Sequence, residues 1–120
     1  MAIEENKEVI HQLWNAYNRG DLEPIAQYLS DDFTRYAHDG TAMDKEDYIK
    51  FCKWLIENSP DSKVVVDDMV AEGDKVAFRM TLSGSSEGKV LSVKKAYFAR
   101  IDQGKIVDFY NIHSVPIEHD

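Results

Sequence analysis

With 120 residues, 43% of them hydrophobic and 30% charged, the chain suffices for one folded domain burying about two-thirds of its unfolded surface, which excludes a disordered segment. A formal net charge of −8 excludes nucleic acid and anionic lipid surfaces as partners, because both require clustered Lys and Arg. A single cysteine, Cys52, excludes an internal disulfide, and neither an apolar leader in residues 1–8 nor an apolar run of membrane-spanning length is present, so the expectation is a cytoplasmic protein.

Ile10, Leu13, Trp14 and Tyr17 recur at helical spacing and predict an amphipathic helix, ended by Asn18-Arg19-Gly20 with Gly20 in the left-handed cap position. Asp21 is placed to cap a second, shorter helix, in whose first turn Pro24 is tolerated and whose apolar side is Ile25, Ala26 and Leu29. Asp31-Asp32 reads as a turn, followed by a short strand over 33–38 closed by Asp39-Gly40. A third helix begins near Asp44, carries Tyr48, Ile49, Cys52, Leu55 and Ile56 inward, and stops at Ser59-Pro60-Asp61. Cys52 within that stripe reads as a small buried hydrophobe rather than a nucleophile.

Beyond Lys63 the period changes to two. Strands are predicted over 63–71, 75–84, 90–101 and 105–114, with Val76, Phe78, Met80 and Leu82 sharing one face and Gly73 supplying the hairpin turn. Helices followed by an antiparallel meander define an α+β class, and with no repeat or linker residues 1–120 form a single domain. His119 is expected to lie in a disordered terminus.

The hairpins around Ala71-Glu72-Gly73-Asp74-Lys75-Val76-Ala77 and Gly104-Lys105-Ile106 resemble those of the nuclear-transport-factor-2-like superfamily, in its SnoaL-like polyketide cyclase and ketosteroid isomerase branches. The resemblance spans the chain from Ile10 to about Ser114. It implies a curved sheet wrapped around the helices as a cone, with a pocket at the open end and homodimeric assembly. Ketosteroid isomerases carry a base Asp on the first strand, a Tyr on the first helix and a protonated Asp on a later strand. Those positions fall here on Ala37, on Leu13, and on Tyr97 or Ala96, so that isomerase machinery is absent. His38 is offset by one residue, which in a strand is the opposite face.

The resemblance also implies that Phe109, Asn111 and His113 face the pocket from the last strand. Related epoxide hydrolases and cyclases place a carboxylate near there, where this chain has Asn111, His113 and Ser114. His113 is then the candidate base, with an ordinary pKa of about 6.5; alternatively it contacts the ligand or is structural. Tyr97, sharing its face with Lys95 and Ala99, is the candidate donor to a carbonyl or enolate; Tyr17 is a candidate wall residue. Arg35 either points inward, favouring a carboxylate-bearing ligand, or is solvated surface. Trp14 and Trp54 read as packing, and Asp31-Asp32 and Asp67-Asp68 as structural.

No GxSxG, HExxH, CxxC or phosphate-loop pattern occurs, and His11, His38, His113 and His119 lack metal-ligand spacing, so neither metal nor cofactor is expected. The function expected is binding of a small, mostly apolar organic molecule, with or without cyclase, isomerase or hydratase chemistry. The rival is a ligand-sensing or protein-interaction module of the same fold.

Overall fold

The computed structural model describes residues 2–86, 88–113 and 117–119. Helices α1 (Ala2–Arg19) and α2 (Leu22–Tyr28) lead into strand β1 (Leu29–Ala37), the short β2 (Ala42–Asp44) and helix α3 (Lys45–Asn58). Strands β3 (Lys63–Glu72), β4 (Lys75–Ser86), β5 (Lys89–Asp102), β6 (Lys105–His113) and β7 (Ile117–His119) follow. The sheet is curved and unclosed, with order β2-β1-β6-β5-β4-β3 and β7 paired to β5.

The apolar stripe of α1 forms as expected, with Ile10, Leu13, Trp14 and Tyr17 all buried. Gly20 takes φ +72° and ends the helix. Asp21 occupies the N-cap of α2 in an extended conformation, but its side chain makes no capping hydrogen bond. Asp44 does cap α3, its carboxylate accepting from the Asp47 N–H at 2.8 Å. At the β3–β4 turn Gly73 sits at φ +58°, a left-handed conformation that a side chain would oppose.

Three expectations are corrected. The strands β3 to β6 form the expected antiparallel meander, but the sheet as a whole is mixed rather than antiparallel, because β1 runs parallel to β6, with Arg35 opposite Phe109 and Ala37 opposite Asn111. A parallel neighbour is reached only through a long crossover, here everything from β2 to β5, which local periodicity cannot reveal. Asp31 and Asp32 belong to β1, in the stretch where its register to β6 shifts, rather than to a turn. His119 is in β7, opposite Val90.

Register shifts also interrupt β3 against β4 between Val66 and Asp68, and β5 against β6 between Arg100 and Ile101. Bulges of this kind bend a strand and increase its twist, which curls the sheet around the helices. Its concave face and the helices enclose an aromatic core: Phe78 stacks on Tyr97 at 4.9 Å, and Trp14 lies nearly parallel to Phe109 at 6.2 Å. One polar clamp sets α1 against the sheet. The Asn18 side chain donates to the Val64 carbonyl at 2.8 Å and accepts from the Val64 N–H at 2.7 Å, completing β3's edge as another strand would.

Candidate functional site

Above the aromatic core a cavity of about 330 Å³ opens between α1, α3 and the concave face of β1, β4, β5 and β6. Its wall is mainly apolar, with Phe51, Leu55, Val64, Met80, Leu82 and Val93. Polar groups enter from five elements: Tyr17 from α1, Tyr48 from α3, Arg35 from β1, Lys95 and Tyr97 from β5, and Asn111 from β6. Tyr97 and Asn111 are directly opposite in the β5–β6 ladder, so strand pleat delivers both to one face.

Arg35 points inward. Its Nη1 donates to Asn111 Oδ1 at 3.2 Å, its Nη2 contacts the Met43 sulfur at 3.5 Å, and its charge lies 5.8 Å from the centre of the Phe51 ring. Because guanidinium only donates, it turns the Asn111 oxygen toward itself and leaves the amide nitrogen as a donor. Arg35 Nε is buried with no hydrogen-bond partner among the described residues. The Tyr17 hydroxyl is engaged with Ser62 Oγ at 2.9 Å, and burial raises its pKa. Burial, with the Cys52 thiol second, also pushes the Tyr97 phenol upward, so it remains a protonated donor. Burial is likewise the first cause at Tyr48 and at Cys52, whose thiol is pushed up to about 12 and is no nucleophile at neutral pH.

Lys95 is the functional group to which sequence reasoning gave a cavity-facing position, with Tyr97 and Ala99, but no role. Its position two residues before Tyr97 puts it on the same face, but alternation does not reveal that its amine is desolvated. Burial, and secondarily the Arg35 charge, bring its amine down to about 8. No carboxylate lines the cavity, and neither Arg35 nor Lys95 forms an ion pair among the described residues.

Of the expected site residues Phe109 falls elsewhere, and His113 is described only in its backbone. Phe109 is fully buried behind the cavity wall, edge-on to Phe33 at 5.5 Å and to Tyr97 at 5.0 Å, and belongs to the core. The β6 backbone pairs His113 with Lys95, but the His113 side chain lies outside the described residues. Trp14 packs in the core and also forms part of the wall, while Trp54 is 57% exposed. Leu13 is core and Ala37 half-buried, so the isomerase base and helix-tyrosine positions carry no proton-transfer group. Asp67 accepts from Thr81 Oγ1 at 2.7 Å and Asp68 pairs with Arg79 at 3.4 Å, both on exposed surface. No three His, Cys, Asp or Glu side chains converge as metal ligands among the described residues, and no described helix is long and apolar enough to cross a membrane.

A curved sheet closed by helices over a pocket with a few inward donors defines the class: a cone-shaped α+β pocket protein. The chain belongs to the SnoaL-like domain family, whose profile matches residues 10–109. Among solved structures it is similar to AclR, a candidate hydroxylase from Streptomyces galilaeus, with 25% identity, 93% of this chain and 80% of that chain covered, and a TM-score of 0.85. It is also similar to IdmH, a candidate polyketide cyclase from Streptomyces antibioticus, with 24% identity, 91% of each chain covered and a TM-score of 0.82. An epoxide hydrolase of LEH-like type from M. tuberculosis shares 13% identity over 95% of this chain and 86% of that one, with a TM-score of 0.84. The last two likenesses show a shared fold. No curated protein matches the chain.

Proposed function

We propose that the protein binds a small, mostly apolar organic molecule in the cone cavity, oriented by hydrogen bonds to an oxygen-bearing group. The observation carrying this reading is the segregation of the wall: apolar side chains on most sides, with Tyr97, Asn111, Arg35 and Lys95 gathered as donors. Pockets with few, convergent polar groups bind ligands by burying their apolar body and fixing their polar end. The polyketide cyclase and epoxide hydrolase names among similar structures support small organic molecules as the ligand class.

Where chemistry follows binding, it is proton transfer beside a carbonyl, of cyclase, isomerase or hydratase type. Tyr97 hydrogen-bonds the oxygen as charge develops, and His113 serves as base, with Lys95 as an alternative amine close to its pKa. That no carboxylate among the described residues lines the cavity favours a second reading, a non-catalytic ligand-sensing module. Assembly as a homodimer through the open sheet face, and a cytoplasmic location consistent with a lone buried cysteine, complete the proposal.

Native mass spectrometry of protein purified from its own host is expected to show a co-purifying small molecule. Tyr97→Phe keeps the ring on Phe78 and removes only a hydroxyl with no protein partner among the described residues. It is expected to weaken ligand binding by about 0.5–1.5 kcal/mol at nearly unchanged stability. Unchanged affinity would place the ligand outside this cavity.

A further inference from the structure

The cavity presents an electrostatic imbalance. Arg35 and Lys95 bring two cations to one largely apolar chamber, close enough that the Arg35 charge depresses the Lys95 amine. Both side chains are half-buried, and charges drawn part-way out of water ordinarily gain a counter-charge, since desolvating an ion without one is costly. Among the described residues the other titratable groups around Lys95 do not supply one. Tyr17 on α1, Tyr48 and Cys52 on α3 and Tyr97 on β5 are all held protonated, and β6 contributes Asn111 and the backbone-paired His113. The chain as a whole carries −8, so this is local cationic character against the overall charge.

A second cavity, of about 210 Å³, adjoins the first through shared Leu55, Leu82 and Val93 and runs past Leu91 to the exposed Trp54. Its wall is apolar apart from small serines and Asn58. One chamber therefore offers cations and donors, and the next offers an apolar track toward solvent.

We propose that the ligand is an amphipathic monocarboxylate, its carboxylate seated between Arg35 and Lys95 and its apolar tail running over Leu82 and Val93, which are neighbours on one face of the sheet, and past Leu55 toward Trp54. This rests on the cavity being the ligand site and adds the charge and polarity of the ligand. A carboxylate suits the pair because guanidinium and ammonium both donate charge-assisted hydrogen bonds, and Asn111 and Tyr97 can donate to its remaining lone pairs. Binding raises the Lys95 pKa, so affinity is full below about pH 8 and falls as the pH rises through that value.

Isothermal titration of the intact protein with octanoate, octanamide and 1-octanol separates the parts of this claim. Octanoate is expected to bind about tenfold or more tighter than either neutral analogue, as charge-assisted bonds to a buried site give. That preference is expected to shrink as pH rises past about 8. Arg35→Gln and Lys95→Met are each expected to reduce it, and the wild-type comparison stands even if a variant folds poorly. Equal affinity of octanoate and octanamide overturns the carboxylate assignment while leaving the cavity as a ligand site. Octanoate binding that is unchanged in both variants also overturns it. If none of the three binds or shifts the Tyr97 and Trp14 ring resonances, both the assignment and the cavity reading fall.

Discussion

Burial and the Arg35 charge hold the Lys95 amine at about 8, against an ordinary 10.5, and this has a consequence for stability. Between those values the unfolded chain binds more protons than the native one, so stability rises with pH; below 8 the penalty is present in full. Cys52 opposes the trend at higher pH. Its thiol ionises near 9.0 when unfolded and near 12 in the native state, so its contribution is lost as pH climbs above 9.0. Tyr48 and Tyr97, raised above 10.0, act in the same direction as Cys52. The expected outcome is a rise in unfolding free energy from about pH 7.5 to about pH 9 in urea titrations at fixed salt, absent from Lys95→Met. A flat wild-type profile would show that the amine is not desolvated.

At the scale of elements, the chain after α3 is held against β4 by an approach that only glycine allows. A Cβ on Gly84 would sit 2.5 Å from Ser59 Oγ and 3.2 Å from the Ser62 Cα. The Ser59 side chain can rotate, but the Ser62 backbone cannot yield alone, and Ser62 Oγ holds the Tyr17 hydroxyl on the cavity wall. Asp61 ties the same segment to β4 through the Ser85 N–H at 3.1 Å and the Ser85 hydroxyl at 2.7 Å. Gly84→Ala is expected to cost about 1–3 kcal/mol, as overpacking commonly does, and to shift the Tyr17 and Ser62 resonances. A thermal midpoint equal to wild type would show that the loop relaxes freely.

Across the whole molecule, the convex face of the sheet carries a row in register from β3 to β1: Val70, Ala77, Phe98, Tyr110 and Tyr36. Val70, Phe98 and Tyr110 are 64%, 61% and 53% exposed, and Tyr36 stacks on Tyr110 at 4.6 Å. A contiguous exposed apolar row on an open sheet is suited to a self-complementary two-fold contact. Light scattering is expected to give twice the 13.8 kDa chain mass at micromolar concentration, and Phe98→Glu is expected to give the monomer. A wild-type monomer at high concentration would reject the interface.

Period-three-and-four stripes on α1 and α3, period-two alternation from Lys63 onward and the Gly73 turn were readable directly, because each is set by side-chain direction within one element. The shared face of Tyr97 and Asn111 came from the family resemblance, and the β5–β6 register bears it out. The parallel pairing of β1 with β6, the Asn18 clamp and the two short strands β2 and β7 left no local signature, because each depends on segments far apart in sequence. The same limit divides the site. Phe109 and Tyr97 alternate alike on neighbouring strands, yet packing places one within the core and the other on the cavity wall. Arg35 could be assigned to either face until β6 set Asn111 beside it, and Lys95, already on the cavity face with Tyr97, gained its lowered amine only from burial beside Arg35. Residue chemistry and periodicity determined the elements and the class of fold; which donors share a desolvated chamber, and so what charge it prefers, is decided only by the burial that tertiary packing creates.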